Sequence, residues 1–375
     1  MEADLGKTGS MGRHRRDFVK SIAWAGAAVA LDWSGTIRGE SSAPGKPKIK
    51  LGYDNFSLRA WGWKADRHLE YAASLKLDSM FFSDLQVFDS LEEGYLRGLR
   101  QRAEDEGLQI HVGTWSICPT SKSFRNNHGT AEEHLALGIR VAKALGSPVI
   151  RVILGTRDDR KTEGGIEARI RDTVKVCRAL RSQAVDAGVK IAVENHAGDL
   201  QAWELVTLVE EAGKDYVGVN LDSGNAAWTL EDPVESLRVL GPYAATTSLR
   251  DSAIWETAEG AKVAWTAMGD GNTDVRTYFK VFAELCPGVP VHIETISGFE
   301  VEFPYLKESF WEAFPKARAK DFAKFVALAR RGKEVPLFKV PDGKDRNEAE
   351  KGYQKAELER SLRYCKETLG LGLKS

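Results

Sequence analysis

The chain has 375 residues, of which 42% are hydrophobic, so it is long enough to bury one large core and to form one to three domains. Its 53 lysines and arginines are balanced by 54 aspartates and glutamates, which excludes the excess positive charge that binds a polyanion such as DNA. We therefore expect no nucleic acid partner.

The first predicted element is an export signal. Arg15 and Arg16 precede a mildly apolar stretch, residues 21–31, which is shorter than the about 20 apolar residues that span a bilayer. This arrangement resembles a twin-arginine (Tat) export signal, and the alternative is a chance pair of arginines before an apolar helix. Residues 1–45 are thus predicted to be signal peptide and linker. The prediction implies the Tat export machinery as a partner, a periplasmic or otherwise extracytoplasmic location, and no membrane span after processing.

Residues 46–338 alternate short apolar runs with longer amphipathic runs, several of which stop at glycine, a common helix end. This alternation predicts a single (β/α)8 TIM barrel, with a doubly wound open sheet as the alternative. No glycine-rich phosphate loop follows any predicted strand, which argues against a nucleotide-binding open sheet. The eight predicted strands read KIKLGYD, LDSMFFS, LQIHVGT, PVIRVILG, VKIAVEN, YVGVNLD, AATTSLRD and VPVHIET.

Two segments follow the eighth predicted strand. Residues 296–315 hold six aromatic side chains, which indicates either a lid over the mouth of the barrel or a cover for the edge of its core. Residues 339–375 are predicted to form an extended C-terminal helical tail, a polar helix outside the barrel.

Oxygen-bearing side chains stand at the ends of the last four predicted strands. Active groups of such barrels lie at the carboxyl ends of the strands. Three carboxylates that converge without a cation repel one another, so a divalent metal ion is their natural partner. Taken singly, each carboxylate is better explained by a salt bridge or a helix cap, but four successive strands with polar ends favour a site. The four strand ends carry, in order, Glu194, Asp222, Ser248 with Asp251, and Glu294.

This order of residues resembles the xylose isomerase-like TIM barrels, which include sugar phosphate isomerases and epimerases. The resemblance covers residues 49–336 and implies one divalent ion, Mn²⁺, Mg²⁺ or Co²⁺, held by Glu194, Asp222 and Glu294. It also implies that Glu194 and Glu294 move protons at adjacent sugar carbons.

Two positions depart from the family pattern. The family's seventh strand usually reads His-x-Lys-Asp, whereas this chain has Ser248 at the histidine position and Arg250 at the lysine position. The sixth-strand pattern Asp-x-Gly-His has Asn225 in place of its histidine. A hydroxyl is a poor substitute for imidazole as a metal ligand. Either three carboxylates and water hold the ion, with Ser248 as an uncertain fourth ligand, or His196 or His292 moves in, or the site needs no metal.

Other side chains near the strand ends are candidates for substrate binding. An unpaired buried guanidinium is costly, so Arg151, within its strand, is expected to face the carboxylates. Trp115 offers an aromatic face to a sugar ring, although large aromatic residues mostly serve as core. The full set of candidates is His196, Asn225, Arg250, Arg151, His111 and Trp115.

Three functions are consistent with this pattern. The first is an exported, metal-dependent sugar isomerase or epimerase that forms an enediolate from a keto-sugar. The second is a lyase that opens a 3-keto-glycoside by β-elimination, because export makes intracellular sugar phosphates poor substrates. The third is a carbohydrate-binding barrel without catalytic activity. All three imply a small carbohydrate ligand, and each is compatible with an oligomer.

Overall fold

The computed structural model describes residues 49–374, so the predicted export signal lies outside the described residues. Their strands are β1 (Leu51–Asp54), β2 (Ser79–Phe82), β3 (Gln109–Ser116), β4 (Val149–Ile153), β5 (Lys190–Glu194), β6 (Val217–Leu221), β7 (Ala244–Thr247), β8 (Asp251–Thr257), β9 (Gly260–Thr266), β10 (Val291–Ile293) and β11 (Glu300–Phe303). Their helices are α1 (Ala65–Ser74), α2 (Glu93–Asp105), α3 (Ala131–Leu145), α4 (Gly165–Ala179), α5 (Arg181–Ala187), α6 (Ala202–Ala212), α7 (Ser223–Trp228), α8 (Pro233–Leu240), α9 (Val275–Leu285), α10 (Ala319–Ala329) and α11 (Arg346–Glu367).

Eight parallel strands form the central sheet in the order β10-β1-β2-β3-β4-β5-β6-β7. The two edges of the sheet meet just after β7, where Leu249 forms a parallel bridge with Ile293 of β10. The amide of Leu249 donates to the carbonyl of His292 (2.8 Å), and the amide of Glu294 donates to the carbonyl of Leu249 (2.9 Å). The predicted (β/α)8 barrel is therefore confirmed, and the open-sheet alternative is wrong.

Local signals in the sequence explain where the outer helices begin and end. Thr130 and Glu133 form a reciprocal capping box at the start of α3, and Gly146 ends that helix in the left-handed conformation with φ 70°. Asp232 accepts hydrogen bonds from the first turn of α8, which has Pro233 at its first position. None of the helices within residues 49–374 combines the length and the apolar character that a membrane crossing requires.

A small antiparallel sheet, β11-β9-β8, follows the seventh barrel strand and was not predicted. The strands β8 and β9 form a hairpin, and β11 adds to it from within residues 296–315, the segment predicted to be a lid or a core cover. Trp265 and Phe303 from this sheet pack with Phe314 and Phe325 in a second hydrophobic cluster. Five of the six aromatic residues of the segment thus belong to this second cluster, whereas Phe299 is exposed.

The C-terminal helix α11 packs against the barrel with one face. Leu358, Leu362 and Cys365 are buried in the main hydrophobic cluster, although the helix is polar on average. Gln354 accepts a hydrogen bond from the amide of Ala60 (2.9 Å), and the amide of Gly372 donates to the carbonyl of Ile49 (2.9 Å). The tail is therefore bonded to the chain on both sides of β1.

Gly52 marks a close approach between two barrel strands. A Cβ atom there would lie 2.3 Å from the carbonyl oxygen of Ser79 on β2, so a side chain forces the strands apart. We expect Gly52→Ala to lower the free energy of unfolding by about 1–3 kcal/mol, measured by urea denaturation. Gly98 is the matched control because it lies within α2 with no atom in the way of a Cβ, so Gly98→Ala should be neutral or stabilise by up to about 1 kcal/mol. Equal effects of both changes would contradict the strand packing described here.

Candidate active site

Four carboxyl groups converge at the carboxyl end of the barrel. Glu194 is the last residue of β5, Asp222 and Glu294 directly follow β6 and β10, and Asp54 is the last residue of β1. All four are at most 4% exposed. The three carboxylates selected from the sequence are thus brought together, and Asp54 joins them.

Two buried arginines are paired with these carboxyl groups. Arg151 of β4 donates from Nε to Glu194 on the neighbouring strand, and from Nη1 to the carbonyl of Thr114 (3.0 Å). Arg250 follows β7 and donates from Nη2 to both Asp222 and Glu294, which follow the strands on either side of it. Each arginine therefore binds carboxylates of adjacent strands, and Arg151 faces the carboxyl groups as predicted from the cost of burying it unpaired.

Amide and hydroxyl groups complete the hydrogen bonds of these carboxylates. Asn220 donates to Glu194 (2.8 Å) and to the hydroxyl of Ser248 (3.3 Å). Asn225 donates to Asp222 (2.7 Å) and to Glu194 (3.3 Å). The backbone amide of Asn225 also donates to Asp222 (2.9 Å), which caps α7. Ordered hydrogen bonds therefore hold these carboxylates in fixed orientations.

The surroundings of the two glutamates shift their pKa values in opposite directions. Burial acts to raise the pKa of Glu194, but the charges of Arg151 and His196 outweigh it, so this pKa lies below its ordinary value. Burial raises the pKa of Glu294, and the charge of Arg250 offsets only part of that effect. Burial also raises the pKa of Asp54 well above its usual range, with the charge of Glu294 acting in the same direction.

The carboxylates that the resemblance assigns to a metal ion are paired with arginines. Of the four expected ligands, Glu194 is bound to Arg151, whereas Asp222 and Glu294 share Arg250. The fourth, Ser248, donates its hydroxyl to Asp54 (3.5 Å). Among residues 49–374, no three His, Cys, Asp or Glu side chains are grouped so as to hold a metal ion. Guanidinium groups therefore contact the carboxylate oxygen atoms that the resemblance assigns to a divalent ion, and the ligand set stays a prediction.

A cavity of about 540 Å³ opens above these groups. Arg151, Glu194, Arg250 and Glu294 lie at its base, and several aromatic side chains line its walls. His196 lines one side, where its Nδ1 lies 2.7 Å from the carbonyl oxygen of Gly155 and its ring meets that of Trp115 edge-on at 5.6 Å. The other aromatic wall residues are Phe56, Trp63, Trp228 and Trp265.

Two of the predicted site histidines lie below the cavity. His111 was predicted to bind substrate, but it is the third residue of the eight-residue strand β3 and therefore lies deep in the barrel. Its Nδ1 is 2.8 Å from the hydroxyl of Thr246, and its ring contacts that of His292 at 4.9 Å. The expectation that His111 lines the mouth is wrong. His292 is fully buried, with its Nδ1 3.2 Å from the carbonyl oxygen of Thr247, and is placed too deep to join the carboxylates.

Sequence reasoning missed Asp54, Trp228 and Trp265. Asp54 ends the first predicted strand, so the rule that selected the other carboxylates applied to it as well. Trp265 comes from the unpredicted hairpin, where Ile254–Trp255 and Val263–Trp265 flank a turn at Gly260. The ring of Trp265 stacks on that of Trp228 at 4.2 Å, and both line the cavity. An apolar pattern on both sides of a glycine was the signal for that hairpin.

The barrel has many structural relatives at low sequence identity. A crystal structure of D-psicose 3-epimerase with D-fructose superposes with a TM-score of 0.56 at 15% identity, over 86% of this chain and all of that chain. The structure of the IOLI protein with a bound zinc atom gives a TM-score of 0.52 at 17% identity, over 76% of this chain and all of that chain. Likeness at these identities establishes the fold alone.

Sequence comparison identifies the family. A 3-oxo-isoapionate decarboxylase of Pectobacterium atrosepticum is 22% identical over 170 residues, which are 45% of this chain and 54% of the decarboxylase. The chain spans about half the length of the curated relatives it matches. Residues 69–308, well over half of the chain, match the family described as the xylose isomerase-like TIM barrel. This protein therefore belongs to the xylose isomerase-like TIM barrel family.

Proposed function

We propose that this protein is a carbohydrate-modifying enzyme that removes and returns a proton at a carbon next to a carbonyl group, as a sugar isomerase or epimerase does. The observation that carries the proposal is the pair Glu194 and Glu294 at the base of one aromatic-walled cavity. They stand at the carboxyl ends of the fifth and eighth strands of the barrel, three positions apart around it, so they reach a bound ligand from different sides. Relatives with similar folds include a D-psicose 3-epimerase, which supports this reaction class.

In the proposed reaction, one glutamate carboxylate takes the proton from the carbon next to the carbonyl. The electron pair of that C–H bond moves to form a carbon–carbon double bond, and the carbonyl oxygen becomes an enediolate oxygen. Return of a proton to the other face of the same carbon gives an epimer. Its return to the neighbouring carbon gives an isomer, provided that the hydroxyl proton of the enediolate passes from one oxygen to the other as the new carbonyl forms. Arg151, Asn220 and Asn225 hold the Glu194 carboxylate in one orientation for this transfer.

A lyase is the second candidate, favoured by the size of the cavity. About 540 Å³ leaves room for a substituent beyond a single sugar ring, and the aromatic walls offer it apolar faces. From the same enediolate, the substituent on the next carbon leaves with its bonding electrons and takes a proton, which opens a 3-keto-glycoside. The similarity to a 3-oxo-isoapionate decarboxylase is consistent with lyase chemistry on a keto-sugar scaffold. We also propose that the protein is exported, which favours unphosphorylated substrates for either reaction.

Proton exchange measured by NMR tests the proposal. The protein is incubated in D₂O with a panel of keto-sugars and 3-keto-glycosides. We expect deuterium to appear at a carbon next to the carbonyl of at least one compound, and an epimer, an isomer or a released aglycone identifies the reaction. The matched control is Glu194→Gln, which should slow exchange without changing the cavity shape. Ligands that bind but never exchange would instead identify a carbohydrate-binding barrel and contradict the proposal.

A further inference from the structure

The carboxylates that resemble a metal site enclose a guanidinium group. We infer that Arg250 takes the place of the divalent metal ion and that its free N–H groups bind the oxyanion that forms on the substrate. The first half of this inference concerns metal binding alone, and the second half rests on the proposed function. Its basis is the position, the support and the unused hydrogen-bond donors of Arg250.

The position follows from the order of the barrel strands. Asp222 and Glu294 follow the sixth and eighth strands, and Arg250 follows the strand between them. Its Nη2 donates to both carboxylates. A metal ion bound to these oxygen atoms at about 2.0–2.2 Å would lie against the N–H groups of a like-charged guanidinium. The two cations exclude each other from this position.

Several contacts hold the Arg250 side chain there. Its guanidinium lies over the indole ring of Trp265, 4.4 Å from the ring centroid, and Trp265 is itself stacked on Trp228. Gly224 leaves the space through which the side chain passes, since a Cβ at that position would lie 2.7 Å from Cδ of Arg250. The hydroxyl of Ser223 accepts from the Arg250 amide (3.0 Å) and donates to the Arg250 carbonyl. The side chain is thus held from both sides.

Two hydrogen-bond donors of Arg250 have no partner among the described residues. They are Nε and Nη1, and both are buried. Buried donors of this kind are normally paired, and Arg250 lies at the base of the cavity beside Glu294. A fixed positive donor in a site sheltered from water stabilises negative charge that develops on a substrate oxygen. A metal ion supplies the same stabilisation in a metal-dependent enzyme.

Metal titration of the whole protein is the first test. Calorimetry of the purified protein with Mn²⁺, Co²⁺ or Zn²⁺ alone is expected to show no stoichiometric site, and EDTA should leave turnover unchanged. One tightly bound ion per chain, with turnover lost in EDTA and restored by that ion, would overturn the inference while leaving the proposed function intact. If the protein bound no metal ion and exchanged no proton on any sugar, the proposed function would be contradicted. The inference that Arg250 replaces the metal ion would still hold.

A restored family pattern is the second test. The double variant Ser248→His, Arg250→Lys recreates His-x-Lys-Asp and removes the guanidinium, so we expect it to bind Co²⁺ at least tenfold more tightly than the wild type, as seen by calorimetry and by the absorption of the bound ion. If the folded double variant binds Co²⁺ no more tightly than the wild type, Arg250 does not occupy the position of a metal ion. The control, Arg157→Lys, changes an arginine outside the cavity lining and should gain nothing. Should the double variant fail to fold, the wild-type titration decides the question.

A separate variant tests whether Arg250 binds the oxyanion. Arg250→Met removes the donors, and we expect kcat/KM to fall by about 10²- to 10³-fold, the usual effect of losing one oxyanion donor. The fall should appear mainly in kcat, since the oxyanion exists only after the proton is removed. A rise in KM with kcat unchanged would show that Arg250 only binds the ground state and would overturn this half of the inference.

Discussion

Glu294→Gln is expected to lower the turnover number by about 10²- to 10⁴-fold, because the amide keeps the size of the side chain but cannot accept or return a proton. The change leaves Arg250 paired with Asp222, so the buried guanidinium keeps one carboxylate partner. For this reason we expect the variant to stay folded and the loss to appear in catalysis. Steady-state kinetics on the substrate found by deuterium exchange, together with a thermal melt, measures both quantities.

Glu300→Gln is the matched control for this change. Glu300 lies six residues further along the chain and pairs with Lys262 at the surface of the small sheet, outside the lining of the cavity. We expect its turnover to match the wild type. Glu194→Gln should resemble Glu294→Gln, because both glutamates take part in the proposed transfer. Losses below about tenfold in both glutamine variants would rule out their proposed role.

The strand ends of the barrel were predictable from the sequence because one physical rule governs them. A parallel strand is apolar along its length and can turn polar only where it leaves the sheet, so Glu194, Asp222 and Glu294 mark three ends of the barrel strands. The same reasoning placed Arg151 against the carboxylates, since a buried guanidinium needs a partner. These predictions use only local sequence and the known edge of the barrel.

The ligand set was harder to predict because residues far apart in the sequence determine which partners a long side chain contacts. Arg250 is directed between Asp222 and Glu294 by Gly224 beneath it and by Trp265 above it. Trp265 belongs to a hairpin that interrupts the regular alternation of strand and helix, so its place above the cavity depends on a separate small sheet. Sequence reasoning identified the missing histidine at Ser248, but the tertiary contacts determine which cation lies beside the carboxylates.

A third buried arginine, Arg160, joins three segments of the chain. It donates two parallel hydrogen bonds to Glu204 of α6, from Nη1 (2.7 Å) and from Nη2 (2.8 Å). Its Nε donates to the carbonyl of Ala313 (2.6 Å), and its guanidinium lies over the ring of Phe314 at 4.3 Å. Both partners of the ion pair are almost fully buried, with side chains 2% and 3% exposed. The pair therefore joins the loop after β4 and helix α6 to the segment that follows β11.

Arg160→Met is expected to lower the free energy of unfolding by about 3–5 kcal/mol, because it leaves the carboxylate of Glu204 buried without its cation. The amide of Gln201 still donates to Glu204 (2.7 Å), but one backbone donor does not replace a bidentate guanidinium. The exposed pair Arg181–Asp215, in which both side chains are 57% exposed, provides the control. Arg181→Met should cost no more than about 1 kcal/mol. The double variant Arg160→Met, Glu204→Gln removes the uncompensated charge and should recover more than half of the loss, as measured by urea denaturation. If Arg160→Met had a free energy of unfolding no lower than that of Arg181→Met, the buried pair would contribute nothing to holding these segments together.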